Sequence, residues 1–197
     1  MHINGPDTLK GKITRPSAFK IKHLQQIRIP RIIIYTHPTV DISVYFLFIQ
    51  SVAFLHTISR GFEFFTIEMI HSRKANTNDM KNGLKRVITL YHARGVHVNQ
   101  INTDNEFECI KNDILPTNLN IVAAEEHIRE IERSIRTMKE GTRCGVQRLP
   151  YSHYRNIMIK GSMTKRVNYL NQLPLNNSIS NTLSPSTLIT GKPSPDF

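Results

Sequence analysis

The stretch DISVYFLFIQSVAFLHTISRGFEFFTIEM, residues 41–69, decides the fold of this chain. Its apolar and β-branched runs are interrupted only at Gln50-Ser51 and at Gly61. Runs of this length predict β-strands, and such short connections predict antiparallel neighbours, because a parallel crossover needs a dozen or more residues. The predicted strands are Asp41–Ile49, Val52–Arg60 and Phe62–Met69.

The most apolar part of this stretch, residues 44–58, has to be tested as a membrane span. It has fifteen residues and contains Gln50, Ser51 and His56, whereas a spanning helix needs about 20 apolar residues. We therefore interpret it as two adjoining buried strands and expect no membrane partner.

The residues beyond 69 predict helices around one further strand. Apolar residues spaced three and four apart predict a helix over 78–94 that ends at Gly95, and a stronger helix over 124–138 that ends at Gly141. Between them, Val96–Ile101 predicts a strand that stops just before Asp104. A weaker helical pattern covers 150–170, and the Asn-, Ser- and Pro-rich residues from Pro174 predict loop or tail. The fold class is therefore α/β (α+β), a mixed sheet with an antiparallel three-strand start, flanked by helices.

The chain is strongly basic. Its 197 residues include 26 Lys+Arg and 15 Asp+Glu, for a net charge of +11, which predicts a polyanionic partner, nucleic acid first. The alternative is a basic surface that only aids solubility. Cys109 and Cys144 are too few for a disulfide framework or a four-cysteine zinc site. We divide the chain into a basic arm or linker (1–29), a core domain (30–172) and a Ser/Asn/Pro-rich C-terminal tail (173–197).

Acidic residues are scarce in this chain, and three of them could serve phosphodiester chemistry, which commonly uses carboxylates that hold two divalent cations about 4 Å apart. Asp41 opens the first long strand, Asp104 follows the fourth, and Glu132 lies within the strong helix. Each has a structural alternative. Asp41 suits a strand edge or turn, Asp104 suits the N-cap of a short helix, and Glu132 suits an i,i+4 ion pair with Arg136.

A resemblance favours the chemical interpretation. The segment LPTNLNIVAAEEHIREIERSIRTMKEGTRC, residues 115–144, resembles the integrase region of copia-type retrotransposon polyproteins, above all the diatom-like branch, and EIERSIRT is its most specific part. Upstream, LKRVITLYHARGVHVNQINTDNEFE, residues 84–108, resembles the segment that carries the second catalytic aspartate. Shorter matches extend the resemblance over nearly the whole chain. It implies a ribonuclease H-like fold.

The resemblance also implies site residues. Asp104 matches the second aspartate and Glu132 the glutamate of the Asp, Asp, Glu triad. The position of the first aspartate falls on Tyr45, and Asp41 lies four residues earlier, about 13 Å along a strand. Either Asp41 serves through a bulge or register change, or the site is damaged. The implied catalytic and metal-binding residues are thus Asp104, Glu132 and Asp41, with Mg²⁺ or Mn²⁺ in a two-metal site.

The family's activity sets the remaining expectations. An intact relative would carry out DNA 3′-processing and strand transfer, with DNA (element ends and target) as its partner, no small-molecule substrate, a homo-oligomeric state and an intracellular location in the nucleus or a cytoplasmic particle. The alternative is a degenerate, non-catalytic nucleic-acid-binding remnant. Cations of the strong helix would contact DNA phosphates: Arg129, Arg133, Arg136 and Lys139.

Overall fold

The structure, a computed structural model, describes residues 27–50, 52–70, 76–122, 129–147, 154–174 and 178–192. Five strands form one mixed sheet in the order β3-β2-β1-β4-β5. The first three are antiparallel to each other, whereas β4 runs parallel to β1 and β5 parallel to β4. This confirms the predicted mixed sheet with its antiparallel three-strand start, whereas β5 was not predicted. The strands are β1 Thr39–Ile49, β2 Val52–Ser59, β3 Phe65–Ile70, β4 His97–Thr103 and β5 Asn118–Ile121.

Helices cover both faces of the sheet. Alternation along the strands separates two apolar clusters, since Val44 and Leu55 join the cluster beneath α2, whereas Leu47 and Phe54 join the cluster beneath α3 and α4. We call the second side the α3 face. The helices are α1 Arg31–Thr36, α2 Thr77–His92, a 3₁₀ helix Asn105–Ile114, α3 Arg129–Gln147, α4 Asn156–Gln172 and α5 Pro185–Thr190.

Two glycines that were predicted to end helices behave differently. Gly95 has φ +77° and follows α2, as expected of a helix stop. Gly141 lies inside α3, which runs on to Gln147, so the predicted end there is wrong. The reason is packing: a Cβ at Gly141 would stand 2.5 Å from Nε of Arg166 on α4. The glycine lets the Arg166 side chain lie against α3.

The region predicted as loop or tail contains the short helix α5. Leu188 and Ile189 of α5 are buried in the cluster beneath α2, and the amide of Ile27 donates a hydrogen bond to the carbonyl of Gly191 at 2.8 Å. Residues 1–26 lie outside the described part of the chain. The division at residues 29 and 172 stays a prediction.

No helix among the described residues is long and apolar enough to cross a membrane. The apolar stretch 44–58 belongs to β1 and β2, apart from the turn residue Gln50 and from Ser51, which lies outside the description. The interpretation of this stretch as two buried strands is confirmed.

Candidate active site

The register of the sheet places Tyr45 beside Asp104. β1 and β4 are parallel, and Ser43 pairs with Asn102. β4 ends at Thr103, and continuing the same register two residues along both strands sets Tyr45 opposite Asp104, the first residue after β4. Because side chains alternate, Tyr45 points to the same side as Leu47, the α3 face. The first-strand residue nearest to Asp104 is therefore a tyrosine.

Asp104 is held at the point where β4 becomes the 3₁₀ helix. Its carboxylate accepts a hydrogen bond from the amide of Glu106 at 3.2 Å, so the N-cap interpretation is confirmed. The Thr103 hydroxyl donates to the carbonyl of Val44 at 3.0 Å, which fixes the end of β4 against β1. Burial raises the pKa of Asp104, and the amides at the cap lower it in part. A structural cap and a metal ligand are compatible roles, because capping leaves further lone pairs of the carboxylate available.

Glu132 reaches the same place from α3. The pKa of Tyr45 is raised, first by burial of the phenol and then by the negative charges of Asp104 and Glu132. The phenol therefore lies within the field of both carboxylates and stays neutral at ordinary pH. Tyr45 is thus coupled electrostatically to both Asp104 and Glu132.

Asp41 lies elsewhere on β1. A register shift occurs between Val40 and Asp41, but it pairs Asp41 with Gln100, four residues before Asp104. The Asn99 side chain donates a hydrogen bond to the Asp41 carboxylate at 3.2 Å. The bulge considered from the sequence therefore exists, but it pairs Asp41 with Gln100 and does not carry it to Asp104. Because β1 is the central strand, the strand-edge alternative for Asp41 does not hold either.

A buried histidine fixes α3 over the sheet, next to Tyr45. His56 on β2 is the cross-strand partner of Tyr45 and is fully buried. Its Nδ1 lies 3.1 Å from the carbonyl of Thr66 and its Nε2 lies 2.7 Å from the hydroxyl of Ser134 on α3. A carbonyl only accepts, so Nδ1 carries the proton, and the Ser134 hydroxyl donates to Nε2.

The contact between His56 and Ser134 lies close to Glu132, because Ser134 follows Glu132 by two residues on α3. Burial lowers the pKa of His56 from 6.5 to about 4, against a smaller opposing effect of the bond to Thr66. The ring is therefore neutral at pH 7. Sequence reasoning missed both His56 and Ser134; the available signal was one histidine within the otherwise apolar strand VAFLHTIS, and a serine in the buried stripe of α3.

Two solved structures are similar to this chain. One is the catalytic core domain of BIV integrase, with a TM-score of 0.54 and 9% identity over 76% of this chain and 93% of that chain. The other is the HTLV-2 integrase catalytic core domain in complex with magnesium, in a trimeric form, with a TM-score of 0.52 and 14% identity over 77% of this chain and 95% of that chain. The fold is that of an integrase catalytic core.

The predicted ribonuclease H-like fold is thereby confirmed for this integrase-type core. No protein-family model matches the sequence, and no curated protein matches it either. The copia-type and diatom-like resemblance therefore stays a prediction.

Among the residues that the structure describes, the donor set around Tyr45 does not fit a two-metal site. Two ions about 4 Å apart need bridging carboxylates, and the neutral phenol of Tyr45 stands beside Asp104 and Glu132 instead of a third acid. Throughout the described ranges, no group of three or more His, Cys, Asp or Glu side chains is placed to hold a metal ion. The metal and catalytic roles of Asp104, Glu132 and Asp41 stay predictions.

The predicted DNA-binding cations of α3 are mostly at the surface. Arg133 and Arg136 are exposed and Lys139 is half-buried, whereas Arg129 begins the helix and its side chain lies outside the described part of the chain. Because Glu132 and Arg136 are four residues apart, they share one helix face. Cations next to a carboxylate are suited to hold a phosphate backbone beside it.

Proposed function

We propose that this chain is the integrase-like polynucleotidyl transferase core of a retrotransposon, inactivated at one position, Tyr45. Its substrate would be DNA, and the reactions lost would be 3′-processing and strand transfer. The observation that carries the proposal is that the β1–β4 register, continued two residues past the Ser43–Asn102 pair, sets Tyr45 opposite Asp104. The negative charges of Asp104 and Glu132 both raise the pKa of Tyr45.

The residues around Tyr45 support a site that has lost one metal ligand but keeps the contacts that position the rest of it. Asp104 is still capped onto the 3₁₀ helix, and Ser134 still ties α3 to His56. A carboxylate in place of Tyr45 would lie within the field of Asp104 and Glu132, and such a third acid is what a divalent cation site of this kind needs. The role of the chain's basic residues would then be sequence-independent contact with DNA phosphates.

The proposal is tested by a strand-transfer assay on paired oligonucleotides with Mn²⁺, comparing the natural chain with Tyr45→Asp. We expect product only from Tyr45→Asp, and loss of that product when Glu132→Gln is added. A matched control is Ser43→Asp, which adds the same charge to the same side of β1 but about 7 Å away; it should give no product.

Other results would contradict the proposal. Product from the natural chain that disappears in Asp41→Asn would show that Asp41 completes the site and that the chain is active. A folded, DNA-binding Tyr45→Asp protein without product would favour the second candidate, a degenerate DNA-binding remnant, whose loss of activity one substitution cannot reverse.

A further inference from the structure

A groove lies between the C-terminal half of α3 and α4, away from the acidic site. Its volume is about 870 Å³. On the α3 side it is lined by residues without charge, Gly141, Cys144 and Gly145, and on the α4 side by Met158, Gly161, Ser162, Lys165, Arg166 and Tyr169. Along α3, the groove begins nine residues after Glu132, which corresponds to about 14 Å of helix.

The α4 side of the groove carries charge of one sign. The 17 residues of α4 include Lys160, Lys165 and Arg166 and contain no Asp or Glu, and the N-cap residue is Arg155. Within the described part of the chain, the ion pairs Lys81–Asp113 and Arg86–Glu68 join α2 to the 3₁₀ helix and to β3, and neither involves α4. The cations of α4 are therefore available to an anionic partner.

Arg166 and Tyr169 give the groove more than charge. The Arg166 guanidinium lies 5.7 Å from the centre of the Tyr169 ring, and its Nε is buried with no hydrogen-bond partner in the described part of the chain. Tyr169 is 46% exposed. An exposed aromatic ring among cations is the combination on which single-stranded nucleic acids stack their bases while their phosphates are neutralised.

Two helical glycines that line the groove, Gly145 and Gly161, face open space. Gly145 and Gly161 lie within helices, where glycine is less favourable than alanine by about 1 kcal/mol, yet a Cβ at either position would meet no atom within 4 Å. Packing inside the chain therefore does not require these glycines. They leave room at the surface instead.

An adjoining hollow on α4 shares Gly161, Lys165 and Tyr169 with the groove and is also lined by Lys160. We propose that the α3–α4 groove, continued into this hollow, binds single-stranded nucleic acid, with Lys165 and Lys160 on phosphates and Tyr169 beneath a base. Charge disfavours two other occupants of the groove, the N-terminal residues 1–26 of this chain and a second copy of the chain. Residues 1–26 contain five Lys or Arg and one Asp, and a second copy docked through α4 would oppose two helices that both lack acids. The proposal goes beyond the proposed function, because this contact needs neither the acidic site nor catalysis.

The test measures the affinity of the full chain for a fluorescent 12-nucleotide oligo-dT by anisotropy over a range of salt concentrations. Each phosphate contact to a single strand contributes a salt slope of about −0.7, which is about fivefold in affinity at 0.1 M salt. The variant Lys160→Gln/Lys165→Gln should therefore bind about 25-fold more weakly, with a slope smaller by about 1.4. The matched control is Lys85→Gln/Lys111→Gln, which removes the same charge from the opposite side of the sheet and should bind nearly as the natural chain.

Two neutral substitutions test stacking and space. Tyr169→Leu should weaken binding at least about fivefold without changing the salt slope, because stacking on an aromatic side chain is worth about 1–3 kcal/mol per base. Gly161→Trp should weaken binding by filling the groove, whereas Gly161→Ala should not. Circular dichroism confirms that each variant is folded.

Three results would overturn the proposal. Equal loss in the groove variant and in the Lys85/Lys111 control would show that binding follows net charge alone. Loss for a duplex but not for oligo-dT would exclude a single-strand site. A dimer in light scattering that Gly161→Trp disrupts, with oligo-dT binding unchanged, would identify the groove as a contact between copies. None of these depends on whether Tyr45→Asp restores strand transfer.

Discussion

The buried ring of His56 predicts how the stability of this fold depends on pH. Its pKa is lowered from 6.5 to about 4 in the folded chain, so the unfolded chain binds the proton more tightly. The contribution of His56 to stability is complete above pH 6.5 and is lost as pH falls towards 4. At about 1.4 kcal/mol per pH unit, this loss is about 2 kcal/mol by pH 5 and about 3 kcal/mol by pH 4.

The perturbation is His56→Gln, which cannot titrate in this range. Urea unfolding of the natural chain and the variant at pH 7, 6 and 5 gives the free energy of unfolding at each pH. We expect the variant to be less stable at pH 7, since a buried, hydrogen-bonded ring is removed. The gap between the two proteins should then shrink by about 2 kcal/mol between pH 7 and pH 5. Other titrating groups are common to both proteins and cancel in the comparison.

Ser134→Ala separates the hydrogen bond from the titration. It removes the hydroxyl that donates to Nε2 of His56 and should cost about 1–3 kcal/mol at pH 7, because a buried acceptor is left unpaired. The ring still titrates in this variant, so the dependence on pH should persist. A gap between the natural chain and His56→Gln that is constant from pH 7 to pH 5 would refute the reasoning.

Further substitutions test how the sheet and helices are held together. Gly83→Ala should destabilise the chain by about 1–3 kcal/mol, because the added Cβ would stand 2.6 Å from a methyl of a buried leucine on β2. Gly145→Ala, at an open helical position, should stabilise it by about 0.5–1 kcal/mol; thermal unfolding compares the two. Asn171→Ala should cost about 1–3 kcal/mol in urea unfolding, since its side chain accepts from the amide of Phe65 and donates to its carbonyl, both at 2.8 Å. Asp104→Asn should keep the stability of the cap, whereas Asp104→Ala should lose about 0.5–2 kcal/mol, again measured by urea unfolding.

Much of the fold follows from local pattern. Apolar, β-branched runs and the short connections at Gln50-Ser51 and Gly61 are sufficient to predict an antiparallel β1-β2-β3, and the repeat through Met80, Leu84, Val87 and Tyr91 is sufficient for α2. The end of α3 could not be predicted, because the role of Gly141 depends on a side chain of α4 that is distant in sequence. The short helix α5 is stabilised by burial of its leucine and isoleucine. The polar composition of the surrounding residues gives no sign of this helix in the sequence.

The candidate site is only partly contained in the sequence. The resemblance pairs Asp104 with Glu132 and puts Tyr45 in the first position, and the register of β1 and β4 supplies the geometry that the sequence lacks. Asp41 illustrates the limit: its spacing from Tyr45 places it on the same strand, but only the pairing with Gln100 shows where it lies. His56 and Ser134 meet across 78 residues, a contact that no local pattern predicts.

The central claim is that Tyr45 occupies the position of a missing metal ligand. The most direct measurement is the affinity of the natural chain, Tyr45→Asp and Ser43→Asp for Mn²⁺, by isothermal titration calorimetry. We predict that Tyr45→Asp binds at least about tenfold more tightly than the other two, and that adding Asp104→Asn removes this gain. Equal affinity in all three proteins, or an equal gain from Ser43→Asp, would contradict the account.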